Sequence, residues 1–304
     1  MSAPSHPAAM LGRHMSEELS NQPECWERVA TATEWQSALR RQGERIAIVG
    51  CGTSWFVAQA VAALREEAGF GVSDAFAASE ARLSGRGYDA VVVISRSGTT
   101  TEIVTLLETA PDGIRKVAIV ADADSPVAAL ADEVIAMPFA DEYSVVQTRF
   151  ASTTVALARA AYGEDLAPLI ADGRAALSQP VPEELVTAEQ LACLGTGWTI
   201  GLAHEAALKM REASQSWTES YPAMEYRHGP MSISTTGRAV WVFGAAPEGL
   251  EEDVVETGAS FVPSRLDPLA ELVRAHRVAL ARATARGLDA DNPRHLTRSV
   301  ILAP

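Results

Sequence analysis

Cysteine is scarce. Cys25, Cys51 and Cys193 are too few and too scattered for a disulfide framework or a zinc cluster, so reduced thiols and no metal are expected. Basic charge is short as well. Twenty-five Lys and Arg against 39 Asp and Glu leave a formal charge of -14, which argues against nucleic acid, because phosphate-backbone binding needs a basic face. An anionic small molecule stays open, since local donors rather than net charge decide such a site. No apolar window reaches the length of a membrane span, so no membrane partner is expected. The segment from Met1 to His14 is rich in Pro, Ala and His but lacks an apolar centre, and it reads as a disordered leader rather than a signal peptide. A cytoplasmic protein is expected. What the chain does have is length and apolar content: 304 residues, 47% hydrophobic, support one large or two ordinary domains.

Polar helical stretches fill Met15–Gln22 and Cys25–Arg41, the second with Trp26, Val29, Trp35 and Leu39 on its buried side. Short β-branched runs then alternate with helical segments. Ile46–Val49 runs into Gly50-Cys-Gly-Thr-Ser54 and a helix; Ala90–Ile94, Val117–Ala121 and Val134–Met137 are further strands. This alternation predicts a parallel sheet covered on both faces. The strand Ala90–Ile94 stops at Ser95-Arg-Ser-Gly-Thr-Thr-Thr101, where five hydroxyls stand in seven positions at the start of a helix. Ser and Thr are favoured at helix N-termini whatever they bind, but one cap needs fewer. The loop therefore reads as an anion cradle built from hydroxyls and backbone N–H groups. Gly50-Cys-Gly52 does not complete a GxGxxG spacing, so no nucleotide cofactor is expected.

A polar, Pro-containing passage, residues 178–182, marks a boundary, and the pattern then begins again. Ile46-Ala-Ile-Val-Gly-Cys-Gly52 corresponds to Leu191-Ala-Cys-Leu-Gly-Thr-Gly197 at an offset of 145, which also sets Glu67 against Glu212 and Glu80 and Arg82 against Glu225 and Arg227. Matches between alanines count for little; the glycines and charged residues carry the argument for duplication. The copies differ where chemistry is concerned. After Ala239-Val-Trp-Val-Phe243 the second copy has Gly-Ala-Ala-Pro-Glu248 without a hydroxyl, so only the first should bind phosphate. Its helix carries Glu205, Lys209 and Glu212 on one face, where the first copy has Ala60, Leu64 and Glu67. By spacing alone these are an ion-paired, solvated helix surface. The segment Glu219–Pro230, with two carboxylates, aromatics and His228 ahead of a Gly-Pro turn, reads as a loop lining a site and favours acid–base work.

Taken in order, Gly50–Ser54, Ala78-Ser-Glu80, Ser95–Thr100, Val146-Gln-Thr-Arg149, Glu205–Glu212, Glu225–Pro230 and the tail Asp291–Val300 resemble the SIS, or sugar isomerase, family. The likeness is to the isomerase half of glucosamine-6-phosphate synthase and to amino-sugar-phosphate deaminase/isomerases. It implies an α/β, flavodoxin-like fold of two tandem SIS subdomains, each a five-stranded parallel sheet flanked by helices. The expected division is residues 1–14 as leader, 15–180 as the first subdomain and 181–304 as the second. The resemblance implies a sugar 6-phosphate held by Ser54, Ser95, Ser97 and Thr100, with Gly52, Thr53 and Gln147 beside the substrate. It implies Glu212 as the base that moves a proton between C1 and C2, with Lys209 next to it. It also implies His228, supplied by the neighbouring subunit of a homodimer, as the ring-opening group.

Two departures accompany the likeness. Arg96 stands where the synthase has glutamine, and it is expected to add phosphate contacts. Arg298 replaces the tail lysine that forms an imine, and a guanidinium cannot form one, so non-covalent chemistry is expected with Arg298 as a binding group. With no cysteine placed to serve a glutaminase domain, ammonia release or aldose/ketose isomerisation is expected rather than glutamine-fed synthesis. The alternative from another class is a non-catalytic sugar-phosphate-binding regulator; Glu212 and His228 favour the enzyme, because a sensor needs only the phosphate site. Cys51, Cys193, His204, His276 and His295 are expected to be structural or without a role.

Overall fold

In a computed structural model, which describes residues 11–302, three helices, α1 (Arg13–Ser20), α2 (Gln22–Ala30) and α3 (Thr33–Leu39), lead into the first sheet. Arg13 and His14, expected in the leader, belong to α1, where the His14 and Met15 amides bond the Asp291 carboxylate and Met15 is buried; the rest of the expected leader, residues 1–10, lies outside the described residues. The chain continues through β1 (Ile46–Gly50), α4 (Thr53–Glu67), β2 (Ser73–Ala77), β3 (Ala90–Ser95), α5 (Thr101–Glu108), β4 (Arg115–Val120), α6 (Pro126–Ala129) and β5 (Glu133–Ala136). These five strands form a parallel sheet in the order β2-β1-β3-β4-β5. β1 and β3 are buried along their whole length, as near-continuous apolar runs in a doubly covered parallel sheet must be.

Helices α7 (Arg149–Ala161), α8 (Ala167–Ser178) and α9 (Glu183–Thr187) cross to the second unit. There β6 (Gln190–Gly195), α10 (Thr199–Ser214), β7 (Trp217–Pro222), β8 (Ala239–Phe243), α11 (Leu250–Glu256), β9 (Ser260–Val262) and α12 (Pro268–Ala285) follow. The second sheet is parallel but four-stranded, β7-β6-β8-β9, not the five strands expected. The pairings β1–β2 and β1–β3 recur as β6–β7 and β6–β8, and β9 corresponds to β4. Among the described residues no strand corresponds to β5. Where the first unit has the four-residue α6 and then a strand, the second runs from β9 through Pro263 into the 18-residue α12. That helix is apolar enough to be buried along Leu269, Leu272, Val273, Val278 and Ala279, so it packs inside instead of feeding a fifth strand.

The duplication is visible at its glycines. A Cβ on Gly50 would lie 2.3 Å from the Ser54 carbonyl carbon, and one on Gly195 would lie 2.3 Å from the Thr199 carbonyl oxygen: each copy packs its first strand against the following helix in the same way. Helices α4 and α10 then cross closely at Gly201, whose added Cβ would meet the Phe56 carbonyl at 2.4 Å. One apolar cluster runs without a break from Trp26 through Ile48, Ile94 and Phe150 to Trp241 and Val278, so the two units share a core. Smaller clusters cover the outer faces of the two sheets, around Val49, Val93 and Ile103 and around Leu194, Val242 and Leu250.

Candidate active site

The close crossing of α4 and α10 carries the second unit's charged face onto the first unit's loops. Lys209 is fully buried, and its Nζ donates to Thr53 Oγ1 at 2.8 Å, to the Glu212 carboxylate, and lies 3.8 Å from Glu205 Oε1. Glu205 is buried with it, while Glu212 keeps part of its side chain at the surface of the cavity. The face predicted from spacing is therefore present, but it is an interior ion cluster rather than a solvated one. Burial changes its meaning: a charged group away from water persists only when paired and hydrogen-bonded. Lys209 is also one of only two lysines in the chain, with Lys116.

Opposite it stands the hydroxyl loop. β3 ends at Ser95, and α5 begins at Thr101. Ser95 Oγ accepts from the Gly98 amide at 3.2 Å, and Ser97 Oγ accepts from the Thr99 amide at 3.3 Å and from Thr99 Oγ1 at 3.0 Å. Gly98 holds φ +62°, and a Cβ there would meet Ser125 Oγ at 2.0 Å, so the loop's path requires glycine. The C-terminal tail lies across the loop. Ser299 Oγ is 2.9 Å from Thr99 Oγ1, 3.2 Å from Ser97 Oγ and 3.5 Å from Thr100 Oγ1; the Thr101 amide donates to the Val300 carbonyl. Under this tail only about 30 Å³ is left among Ser54, Ser95, Ser97, Thr100 and Gln147. A larger cavity of about 240 Å³ adjoins it, and its walls combine Gly52, Thr53, Thr100 and Gln147 from the first unit with Lys209 and Glu212 from the second and Arg298 and Ser299 from the tail.

Of the residues singled out in the sequence, the structure thus brings Gly52, Thr53, Ser54, Ser95, Ser97, Thr100, Gln147, Lys209, Glu212 and Arg298 around adjoining cavities. Gln147 Oε1 is buried with no partner. Arg96, expected to add phosphate contacts, also lines the smaller cavity, with its guanidinium engaged by protein acceptors. Its guanidinium donates to the carbonyls of Ser144 at 2.9 Å, Val145 at 3.4 Å and Arg298 at 3.3 Å, and lies 3.8 Å from Glu142. A buried guanidinium takes whatever acceptors surround it, and here they belong to the 142–145 segment and the tail; burial pulls its pKa down. Arg298 lines both cavities, and its guanidinium donates to the Asp141 carboxylate at 2.5 Å and to the Glu142 carbonyl. His228 is exposed, on a short turn (Glu225–His228) after β7, and lines neither cavity. The expected loop Glu219–Pro230 is in its first part strand β7, an edge of the second sheet. Cys193 is fully buried, with its thiol pushed up to about 12 by burial, as a packed strand residue.

Residues that sequence reasoning did not single out are Glu142 and Ser299. The Glu142 carboxylate accepts from the amides of Thr148 at 2.5 Å and Arg149 at 2.9 Å and caps α7; an acidic residue ahead of a helix start was the available signal. Ser299 is one hydroxyl in a tail, and nothing local marks it.

Fold and cavity together define a two-unit α/β protein whose hydroxyl loop and ion cluster come from different copies of one duplicated unit. Residues 38–162 match the SIS domain family. Over 296 residues the chain is 24% identical to a glutamine–fructose-6-phosphate aminotransferase (isomerizing) from Sulfurisphaera tokodaii, matching 86% of this chain and 50% of that protein; it spans about half the length of the curated relatives it matches. Among solved structures it is similar to glucosamine-6-phosphate deaminase from Thermotoga maritima, with TM-score 0.78 and 22% identity over 95% of this chain and 100% of that one. It is also similar to tagatose-6-phosphate ketose/aldose isomerase from Escherichia coli, with TM-score 0.76 and 20% identity over 99% of each chain. At these identities the two structures establish the fold of both units.

Proposed function

We propose that this protein is a sugar-phosphate isomerase or deaminase acting on a hexose or hexosamine 6-phosphate. The observation that carries the reading is the Lys209–Thr53 hydrogen bond, which ties the acid–base helix to the phosphate loops so that Glu212 and Thr100 wall one cavity. Ser54, Ser97 and Thr100 with the α5 N-terminus would take the phosphate, displacing the Ser299 hydroxyl from the loop. Glu212 would remove the C2 proton of the open-chain aldose and return it to C1, while the Lys209 ammonium stabilises negative charge on the substrate oxygens. From a 2-amino sugar the same transfer gives a C2 imine, which adds water and releases ammonia. Arg298, with no nucleophilic nitrogen, serves only in binding, so no step is covalent. His228, exposed and lining neither cavity, would act on the ring oxygen of a substrate bound in a partner subunit, which makes a homodimer the working form.

The names of the relatives support this substrate class: the deaminase, the ketose/aldose isomerase and the aminotransferase all take a 6-phosphorylated sugar. The test is incubation of the purified protein with a panel of hexose and hexosamine 6-phosphates, following ammonia and ketose together. Turnover of at least one member is expected. Tight binding without turnover would replace the enzyme by a sugar-phosphate-binding regulator.

A further inference from the structure

Behind Glu205 the interior holds a series of polar side chains joined end to end. The Trp26 indole N–H donates to Ser152 Oγ at 3.1 Å, and Ser152 Oγ donates to Gln22 Oε1 at 2.6 Å. Gln22 Nε2 lies 3.4 Å from the Leu19 carbonyl and 3.3 Å from His276 Nδ1, and His276 Nε2 lies 3.3 Å from Glu205 Oε2. Trp26, Gln22, Ser152 and His276 are wholly buried, and they come from α2, α7 and α12.

The Leu19 carbonyl sets the direction of the bonds toward His276. A backbone carbonyl only accepts, so the nitrogen of the Gln22 amide faces Leu19 and its second hydrogen points at His276. Nδ1 must then accept, and the ring proton sits on Nε2, aimed at Glu205. The other oxygen, Glu205 Oε1, has no hydrogen-bond partner and faces the Lys209 ammonium at 3.8 Å. Glu205 touches neither cavity. Without the His276 donor it would be a buried carboxylate whose sole neighbour of opposite charge is Lys209, and it would draw that ammonium off Thr53 and Glu212.

We propose that His276 is a positioning residue: its Nε2–H holds Glu205, which in turn keeps the Lys209 ammonium shared between Thr53 and Glu212. The proposal rests on the sugar-phosphate reading for its kinetic consequence and on the hydrogen-bond series for its structure.

Two variants and one spectrum test it. His276→Leu keeps bulk and loses the donor; His276→Gln can place an amide N–H where Nε2 stands. On the substrate found with the panel, H276L should lower kcat at least tenfold with KM within twofold, and H276Q should recover most of that loss. Equal losses in the two variants would mean that His276 only fills space, and a loss confined to KM or no loss in H276L would overturn the proposal outright. Thermal melts of both variants separate a folding failure from a catalytic one, and an unfolded H276L leaves the decision to H276Q and the spectrum. Histidine-selective 15N labelling gives a reading free of substrate: the chain has six histidines, and the signal missing from H276Q identifies His276. A proton on Nε2 is expected, and a proton on Nδ1 would overturn the proposal whether or not any sugar phosphate is turned over. If Glu212→Gln retains full turnover while the ring is protonated on Nε2, the catalytic reading fails and the structural assignment of His276 stands.

Discussion

Glu212 and Lys209 touch each other, yet replacing them should have different costs. Lys209 is wholly buried and holds two carboxylates, one of them, Glu205, equally buried. Lys209→Met removes the cation beside the buried Glu205 carboxyl, and breaking a buried pair in this way costs about 3–5 kcal/mol. Urea denaturation should show a loss of that order together with loss of turnover. Glu212 is partly exposed, and its carboxamide can still accept from Lys209, so Glu212→Gln should change stability by less than about 1 kcal/mol. Removing a general base nevertheless lowers rate by about 10²–10⁴. Stopped ammonia and ketose assays should therefore show turnover falling by that factor while sugar-phosphate binding persists. Equal stability losses in the two variants would contradict the asymmetric burial on which this rests. The i, i+4, i+7 spacing of Glu205, Lys209 and Glu212 could be read from the chain, but their burial could not: it depends on Thr53, 156 residues away. His276 was illegible for the same reason, since its neighbours Gln22 and Glu205 are distant in sequence.

At the scale of elements, the hydroxyl loop shows what local sequence can specify. A strand ending in Ser95, a glycine and a helix start suffice to predict a turn with converging donors, and β3, the loop and α5 follow that plan. What the chain did not reveal is that the tail lies on the loop through Ser299 and that Arg96 braces the 142–145 segment, because both contacts join segments far apart in sequence. Strand β2 was missed for a simpler reason: Ser73-Asp-Ala-Phe-Ala77 is a short edge strand with little apolar pattern. The loop's own geometry makes a prediction. At φ +62° and 2.0 Å from Ser125 Oγ, an added methyl at residue 98 is both strained and crowded. Gly98→Ala should cost about 1–3 kcal/mol, the usual range for a non-glycine residue forced into such a conformation. Because the strain falls between Ser97 and Thr99, phosphate affinity measured by calorimetric titration should drop more than in Ser97→Ala, which removes one hydroxyl and leaves the backbone in place.

For the whole molecule, the duplication was legible from its glycines and charged residues, and the shared core was not: the second unit lacks a counterpart of β5, and α12 fills the space between units. The N-terminal helices join this assembly through a buried carboxylate. Glu18 on α1 accepts from the amides of Tyr143 and Ser144, and so holds the segment that Arg96 and Arg298 also grip. Burial first, and then the neighbouring Glu142 carboxylate, push the Glu18 pKa up from its ordinary 4.5 to about 7. Between these two values the folded chain keeps a proton that the unfolded chain has released. Stability must therefore fall as pH rises through that window, by at most about 3 kcal/mol. Glu18→Gln retains an acceptor for the two amides and has nothing to ionise. Chemical denaturation should find it more stable than the wild type at pH 8 and nearly equal at pH 5, where Glu18 is protonated in the folded protein. A wild type whose stability is flat from pH 5 to 8, with the variant parallel to it, would show that Glu18 ionises freely and that α1 does not hold the 142–145 segment through a buried carboxyl.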